Sequence, residues 1–137
     1  MSTRLRLVNP EELGAPRGYS NGVLAPAGSR FLFVAGQVGW NERQELVSAD
    51  FVEQFERALA NVLTVVAAAG GRPENVVRFS FFVKDKDSYR GSLENVGAAY
   101  RRHMGRHFPA MSLVEVSDLL EEGALVEIEA TAALPSE

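Results

Sequence analysis

Only two stretches of this 137-residue chain repeat apolar residues at the three- and four-residue spacing of a buried helical face, and each lies between strands. The first, SADFVEQFERALANVLTVVAAAGG, puts Val52, Phe55, Leu59, Val62, Val66 and Ala69 on one side. Ser48 or Asp50 can cap its start, Gly70-Gly71 stops it, and Pro73 follows close behind. The second is predicted from about Asp87 to Met104, with Tyr89, Leu93, Val96, Tyr100 and Met104 as its stripe and Gly105 as its stop. Two helices can cover one face of one sheet. The expected architecture is therefore α+β, a two-layer sandwich whose other sheet face is left to solvent or to another subunit.

The strands fill in the order. YSNGVLA and FLFVAGQV flank a turn and suggest a hairpin. Asn21-Gly22 is a strong two-residue turn signal, but Pro26-Ala27-Gly28-Ser29 leaves more balanced strands and is favoured. NVVRFSFFVKD is rich in branched and aromatic residues and puts Val77, Phe79, Phe81 and Val83 on one face. AMSLVEV and ALVEIEATAAL close the chain, giving β-β-α-β-α-β-β in one mixed sheet. In GALVEIEATA, the period of two sets Val126, Ile128 and Ala130 against Leu125, Glu127, Glu129 and Thr131. Met111, Leu113 and Glu115 are placed with Leu125, Glu127 and Glu129 on the uncovered face. Residues 1–137 are read as a single domain, with residues 1–17, rich in Pro, Gly and charge, as an irregular arm.

Composition narrows the function classes. There is no cysteine, so disulfides, thiolate catalysis and zinc–thiolate sites are excluded. The net charge of −4 argues against broad electrostatic capture of nucleic acid or of an anionic membrane. The opening MSTRLRLVNP has no long apolar run, and VLTVVAAAG is too short to span a bilayer. A cytoplasmic protein with no nucleic-acid or membrane partner is expected.

Few residues point to chemistry by themselves. His103 and His107 stand four apart, a metal-binding spacing, but Gly105 breaks the helix between them and Arg101, Arg102 and Arg106 surround them. They read as a basic C-terminal turn favoured by the helix dipole. AGQVGW follows a strand without phosphate-cradling spacing, so its glycines suit a close backbone approach. Trp40, the only tryptophan, suits a ligand-stacking ring or an interface anchor equally. Ser20, Ser80 and Ser112 have no partner nearby in the chain and read as solvated or capping hydroxyls. Glu127 and Glu129 share a strand face that is either solvated or equipped for acid–base work on water.

Taken in order, FLFVAGQVG, GRPENVVRFSFFVKD, FPAMSLVEV and GALVEIEATA resemble the RidA (YjgF) family over about residues 19–134. The resemblance implies a chorismate-mutase-like fold, a homotrimer with clefts between neighbouring subunits, and hydrolysis of reactive enamines and imines without metal or organic cofactor. It places a cleft tyrosine on Tyr19, the glycine before glutamine on Gly36, and a water-positioning carboxylate on Glu127, the expected catalytic residue. Gln37, Trp40, Phe108, Met111 and Leu113 are expected to complete a small-molecule site. Three positions depart from the family pattern. A serine is replaced by Ala35. A helical asparagine is replaced by Gly97, with Asn95 close by on a different helical face. The arginine of the PARS motif, which grips a substrate carboxylate, is Met111 in PAMS. Methionine offers no donor, so binding of ordinary 2-imino acids should be poor. A non-catalytic ligand-binding or chaperone-like module is the alternative, and ribonuclease or translation-inhibitor activity a weaker one.

Overall fold

The computed structural model describes residues 4–137. In chain order its elements are β1 (Arg6–Val8), β2 (Gly22–Leu24), β3 (Arg30–Gln37), α1 (Phe51–Ala68), β4 (Val76–Val83), α2 (Lys86–Arg90), α3 (Leu93–Met104), β5 (Ala110–Glu115) and β6 (Val126–Leu134). The main sheet runs β3-β6-β4-β5; β4 and β5 are parallel and the other pairs antiparallel. The fold is thus α+β, with a mixed sheet and two main helices, as the helical spacing implies.

The helices form where the sequence places them, with shifted faces. The Asp50 carboxylate accepts the Glu53 amide at 3.0 Å and caps α1. Gly70, at φ 86°, and Gly71 end it by donating their amides to Ala67 and Val66, each at 2.9 Å. The buried side is Phe51, Gln54, Phe55, Ala58, Leu59, Val62 and Val66; Val52 is only half-buried and Ala69 is exposed. The second helix is two helices, interrupted at Gly91-Ser92. Asp85 caps the short α2 by accepting the Asp87 amide at 2.9 Å. In α3 the buried stripe is Val96, Ala99, Tyr100 and Met104, whereas Leu93 is exposed.

The N-terminal segment differs most from expectation. Residues 6–8 are not irregular but pair antiparallel with residues 22–24, and the Asn21 amide donates to the Asn9 side chain at 2.7 Å. The first three residues of the expected arm lie outside the described residues. Ser29 does close a turn on Pro26 at 3.3 Å, but the strands flanking it, β2 and β3, enter different sheets and do not form a hairpin.

In β4 the register against β6 shifts between Val76 and Arg78. That irregularity puts Val76 in the core in place of Val77, ahead of Phe79, Phe81 and Val83. These residues join Val126, Ile128 and Ala130 beneath α1 and α3. Met111 and Leu113 stand opposite Phe79 and Phe81, and so share their helix-covered side rather than the bare one. Glu115, opposite Val83, is on that side too. Glu127 pairs with Phe82 and Glu129 with Ser80, which puts both carboxylates on the bare side.

One buried polar residue ties the layers together. Gln54 is fully buried; its amide donates to the Ser48 and Gly123 carbonyls at 2.9 and 3.0 Å and accepts the Leu125 amide at 2.8 Å. All of its main hydrogen-bonding capacity is met, as burial requires. Gly39 lets the helix in, because a Cβ there would come within 2.7 Å of the Gln54 backbone.

Between α1 and α3, Glu56 accepts Arg102 through two bonds of 2.8 and 3.0 Å and lies 2.9 Å from His103 Nε2. The Arg102 guanidinium, helped by His103, holds the Glu56 carboxyl below its ordinary value of 4.5. A carboxyl depressed in the folded state stabilises above its unfolded value and loses that stabilisation as pH falls through the folded one. The melting temperature should therefore fall below about pH 4.5, and Glu56→Gln should flatten that acid limb while lowering the plateau near neutrality. Thermal melts of both proteins from pH 3 to 7 read this directly.

Candidate functional site

The sheet has two faces, and the chemically equipped residues divide between them. Under the helices, beside β5, lies an open cavity of about 480 Å³. Its walls include Phe55, Phe81, Phe108, Met111 and Leu113, with Tyr19 at the rim. Tyr19 is held there by its neighbour. Ser20 donates its hydroxyl to the Phe108 carbonyl at 2.6 Å and its amide to Pro109 at 3.0 Å, docking the segment beside the start of β5. Ser20 is therefore buried and bonded rather than solvated.

The cavity floor is aromatic. The rings of Tyr100 and Phe108 stack with centroids 5.3 Å apart and planes 12° from parallel. The Tyr100 hydroxyl donates to the His107 carbonyl at 2.6 Å, and burial pushes its pKa upward. That phenol stays neutral and committed to its bond, so it shapes the cavity rather than moving protons. The histidines are likewise committed to separate partners: His103 faces Glu56, and His107 Nε2 lies 2.7 Å from the Val76 carbonyl.

Glu127 occupies the opposite face. Between Val34 and Gln37, β3 advances three residues while β6 advances two, from Ala130 to Ile128. This bulge brings Gly36 against the Glu127 side chain. A Cβ built on Gly36 would overlap the carboxylate and lie 2.8 Å from its Cδ, so only glycine leaves room for it. Gln37 ends the bulge and turns its amide back to the Ala35 carbonyl at 3.1 Å. Trp40 belongs to neither group. It lies in the loop after β3, bridged to Leu46, with its carbonyl accepting Asn61 Nδ2 at 2.9 Å.

Of the residues expected to form one site, Tyr19, Phe108, Met111 and Leu113 are brought together. Gly36 and Glu127 form a second cluster with Gln37 beside it, and Trp40 stands apart. Within one chain the sheet separates Met111 from Glu127. The sequence reading also missed two cations, Arg17 and Arg101, which line the Met111 cavity. The signal for Arg101 was its position four residues after Gly97, on the same helical side.

Comparisons with known proteins bear on the family and the fold. The sequence model described as Endoribonuclease L-PSP matches residues 10–134. A RutC family protein of Pyrococcus horikoshii is 32% identical over 115 residues, 83% of this chain and 85% of its own. The human 2-iminobutanoate/2-iminopropanoate deaminase is 31% identical over 120 residues, covering 87% and 82%. Among solved structures, the Rid-family protein YyfB of Yersinia pestis superposes with a TM-score of 0.85 at 34% identity, covering 96% of this chain and 99% of that one. No helix among the described residues is long and apolar enough to cross a membrane.

Proposed function

This chain belongs to the endoribonuclease L-PSP family, which the RidA-like motifs anticipated, and on that premise we propose that it hydrolyses C=N bonds of small metabolites in a cleft shared by neighbouring copies of a homotrimer. The observation that carries this reading is the lodging of the Glu127 carboxylate against Gly36 on the bare sheet face. That face also presents Phe31, Phe33 and Val114, of which Phe33 is 76% exposed in the lone chain. Apolar residues of this size, gathered on an unpartnered sheet face, favour burial against another copy. Because the sheet separates Glu127 from the Met111 cavity, a cleft using both needs one from each of two subunits.

The chemistry asked of Glu127 is modest. Water attacks the imine carbon while the carboxylate takes the water's proton and returns it to nitrogen. The resulting carbinolamine expels ammonia and leaves a carbonyl. Neither a metal nor an organic cofactor enters this scheme. Met111 sets its limits: a thioether cannot make the charge-assisted fork by which arginine grips a carboxylate, where each bond contributes about 1.5–3 kcal/mol. Small 2-imino acids should therefore be poor substrates. Imines generated in place by an amino-acid oxidase and trapped with semicarbazide test this. 2-Iminopropanoate should decay in the presence of this protein at close to its spontaneous rate, and far more slowly than with the human deaminase. Met111→Arg should recover part of the difference. Equal rates for the two wild-type proteins would defeat the Met111 argument.

A non-catalytic ligand-binding module is the second reading. It is favoured by one feature, the presence of the Met111 cavity within a single chain, with Glu127 absent from its lining. Ligands that raise the melting temperature without any product detected by mass spectrometry would support it over hydrolysis.

A further inference from the structure

The Met111 cavity is apolar on its walls and cationic at its lining. No acidic side chain lines it, yet Arg17 and Arg101 both do. Neither guanidinium has an ion pair or side-chain hydrogen bond among the described residues, whereas Arg102, next in sequence, is fully engaged with Glu56.

The placement of Arg101 has a local cause. A helical side chain leans back over the preceding turn, so residue 101 covers residue 97. Residue 97 is glycine, and the guanidinium occupies the room this leaves: Arg101 Nη1 is 3.2 Å, and Nη2 4.0 Å, from where a Cβ on Gly97 would stand. A Cβ at 97 would make the guanidinium give way by a few tenths of an ångström. Two departures from the motif pattern, Gly97 and Met111, therefore line the same cavity and act in opposite directions. One removes a cation from the strand, and the other makes a seat for a cation on the helix.

We infer that Arg101, seated on Gly97 and assisted by Arg17, is the carboxylate-recognising group of this cavity, and that its ligand is a monocarboxylate with an aryl or bulky apolar body. The guanidinium fork matches a planar carboxylate, while Met111, Leu113 and the Tyr100–Phe108 stack receive the body. A three-carbon acid would leave most of about 480 Å³ unfilled. The inference rests on reading this cavity as the ligand site, and it explains how an acid can be bound without an arginine at position 111.

Calorimetric titration of the intact protein with phenylpyruvate, pyruvate and the neutral phenylacetone tests it. Phenylpyruvate should bind wild type more tightly than pyruvate does. Arg101→Gln should weaken phenylpyruvate by about tenfold or more, the loss of one charge-assisted bond. Arg101→Lys should restore part of it, and phenylacetone should respond to neither change. Phenylpyruvate that fails to bind wild type, binds Arg101→Gln equally well, or binds no better than pyruvate overturns the proposal. Because binding is read without turnover, the two readings fail separately. Binding that depends on Arg101 in a protein with no hydrolysis removes only the enzymatic reading. Hydrolysis with binding indifferent to Arg101 removes only this one.

Discussion

Glu127→Gln should cost about 10²–10⁴-fold in turnover of any imine the wild-type protein hydrolyses, the range a positioned acid–base group contributes. The substitution keeps the shape of the side chain and removes its capacity to take a proton from water. The melting temperature should stay near that of wild type, because Glu127 is only half-buried and its carboxylate makes no hydrogen bond among the described residues. Gly36→Ala offers an independent approach to the same group, since its methyl would overlap the carboxylate and must push it aside. Its rate should fall as well, with residue 127 unchanged. Steady-state rates beside thermal melts decide the matter. A Glu127→Gln protein that turns over at the wild-type rate would remove the carboxylate from the chemistry.

On the proposed shared-cleft reading, Phe33→Asp should convert a trimer into single chains of 14.9 kDa and abolish turnover at the same time. Phe33 is 76% exposed in the lone chain, so the substitution has little to disturb in the fold of one protomer. In an assembly closed over the bare sheet face, the same change removes an aromatic ring worth about 1.5–3 kcal/mol per copy and buries a carboxylate in its place. Light scattering and far-ultraviolet circular dichroism together separate dissociation from unfolding. A wild-type protein that runs as a stable monomer, or a Phe33→Asp trimer of undiminished activity, would end the shared-cleft account.

The architecture was legible because its main signals are periodic and contrasted. Val126, Ile128 and Ala130 alternate with Glu127 and Glu129, and burial follows that alternation residue by residue. β5 carries no such contrast. Met111 and Leu113 face one side while Val114 faces the other, so both faces contain apolar residues and the side is fixed only by pairing with Phe79 and Phe81. The shift from Val77 to Val76 has a related cause, since one irregular residue reverses every face before it and no composition announces it. β1 is three residues long and finds its partner well downstream, beyond the reach of local patterning. Gln54 was invisible for the opposite reason: a polar residue on an apolar helical face is explained only by the carbonyls and amide it meets in space.

Position 36 was recognised from its motif, but its seat on an irregular strand was not. That irregularity bears on behaviour at high concentration. β3 is the last strand of its sheet, and among the described residues its outer edge pairs with no other strand. An eight-residue rim carrying Phe31 and Phe33 would otherwise be a template for stacking chain upon chain without end. The extra residue at 35–36 breaks the rhythm of donors and acceptors near the C-terminal end of the strand, so an arriving strand cannot pair along its whole length. The kink that seats a carboxylate also discourages fibre growth, and concentrated solutions of this protein should cloud sooner if residue 35 or 36 is deleted.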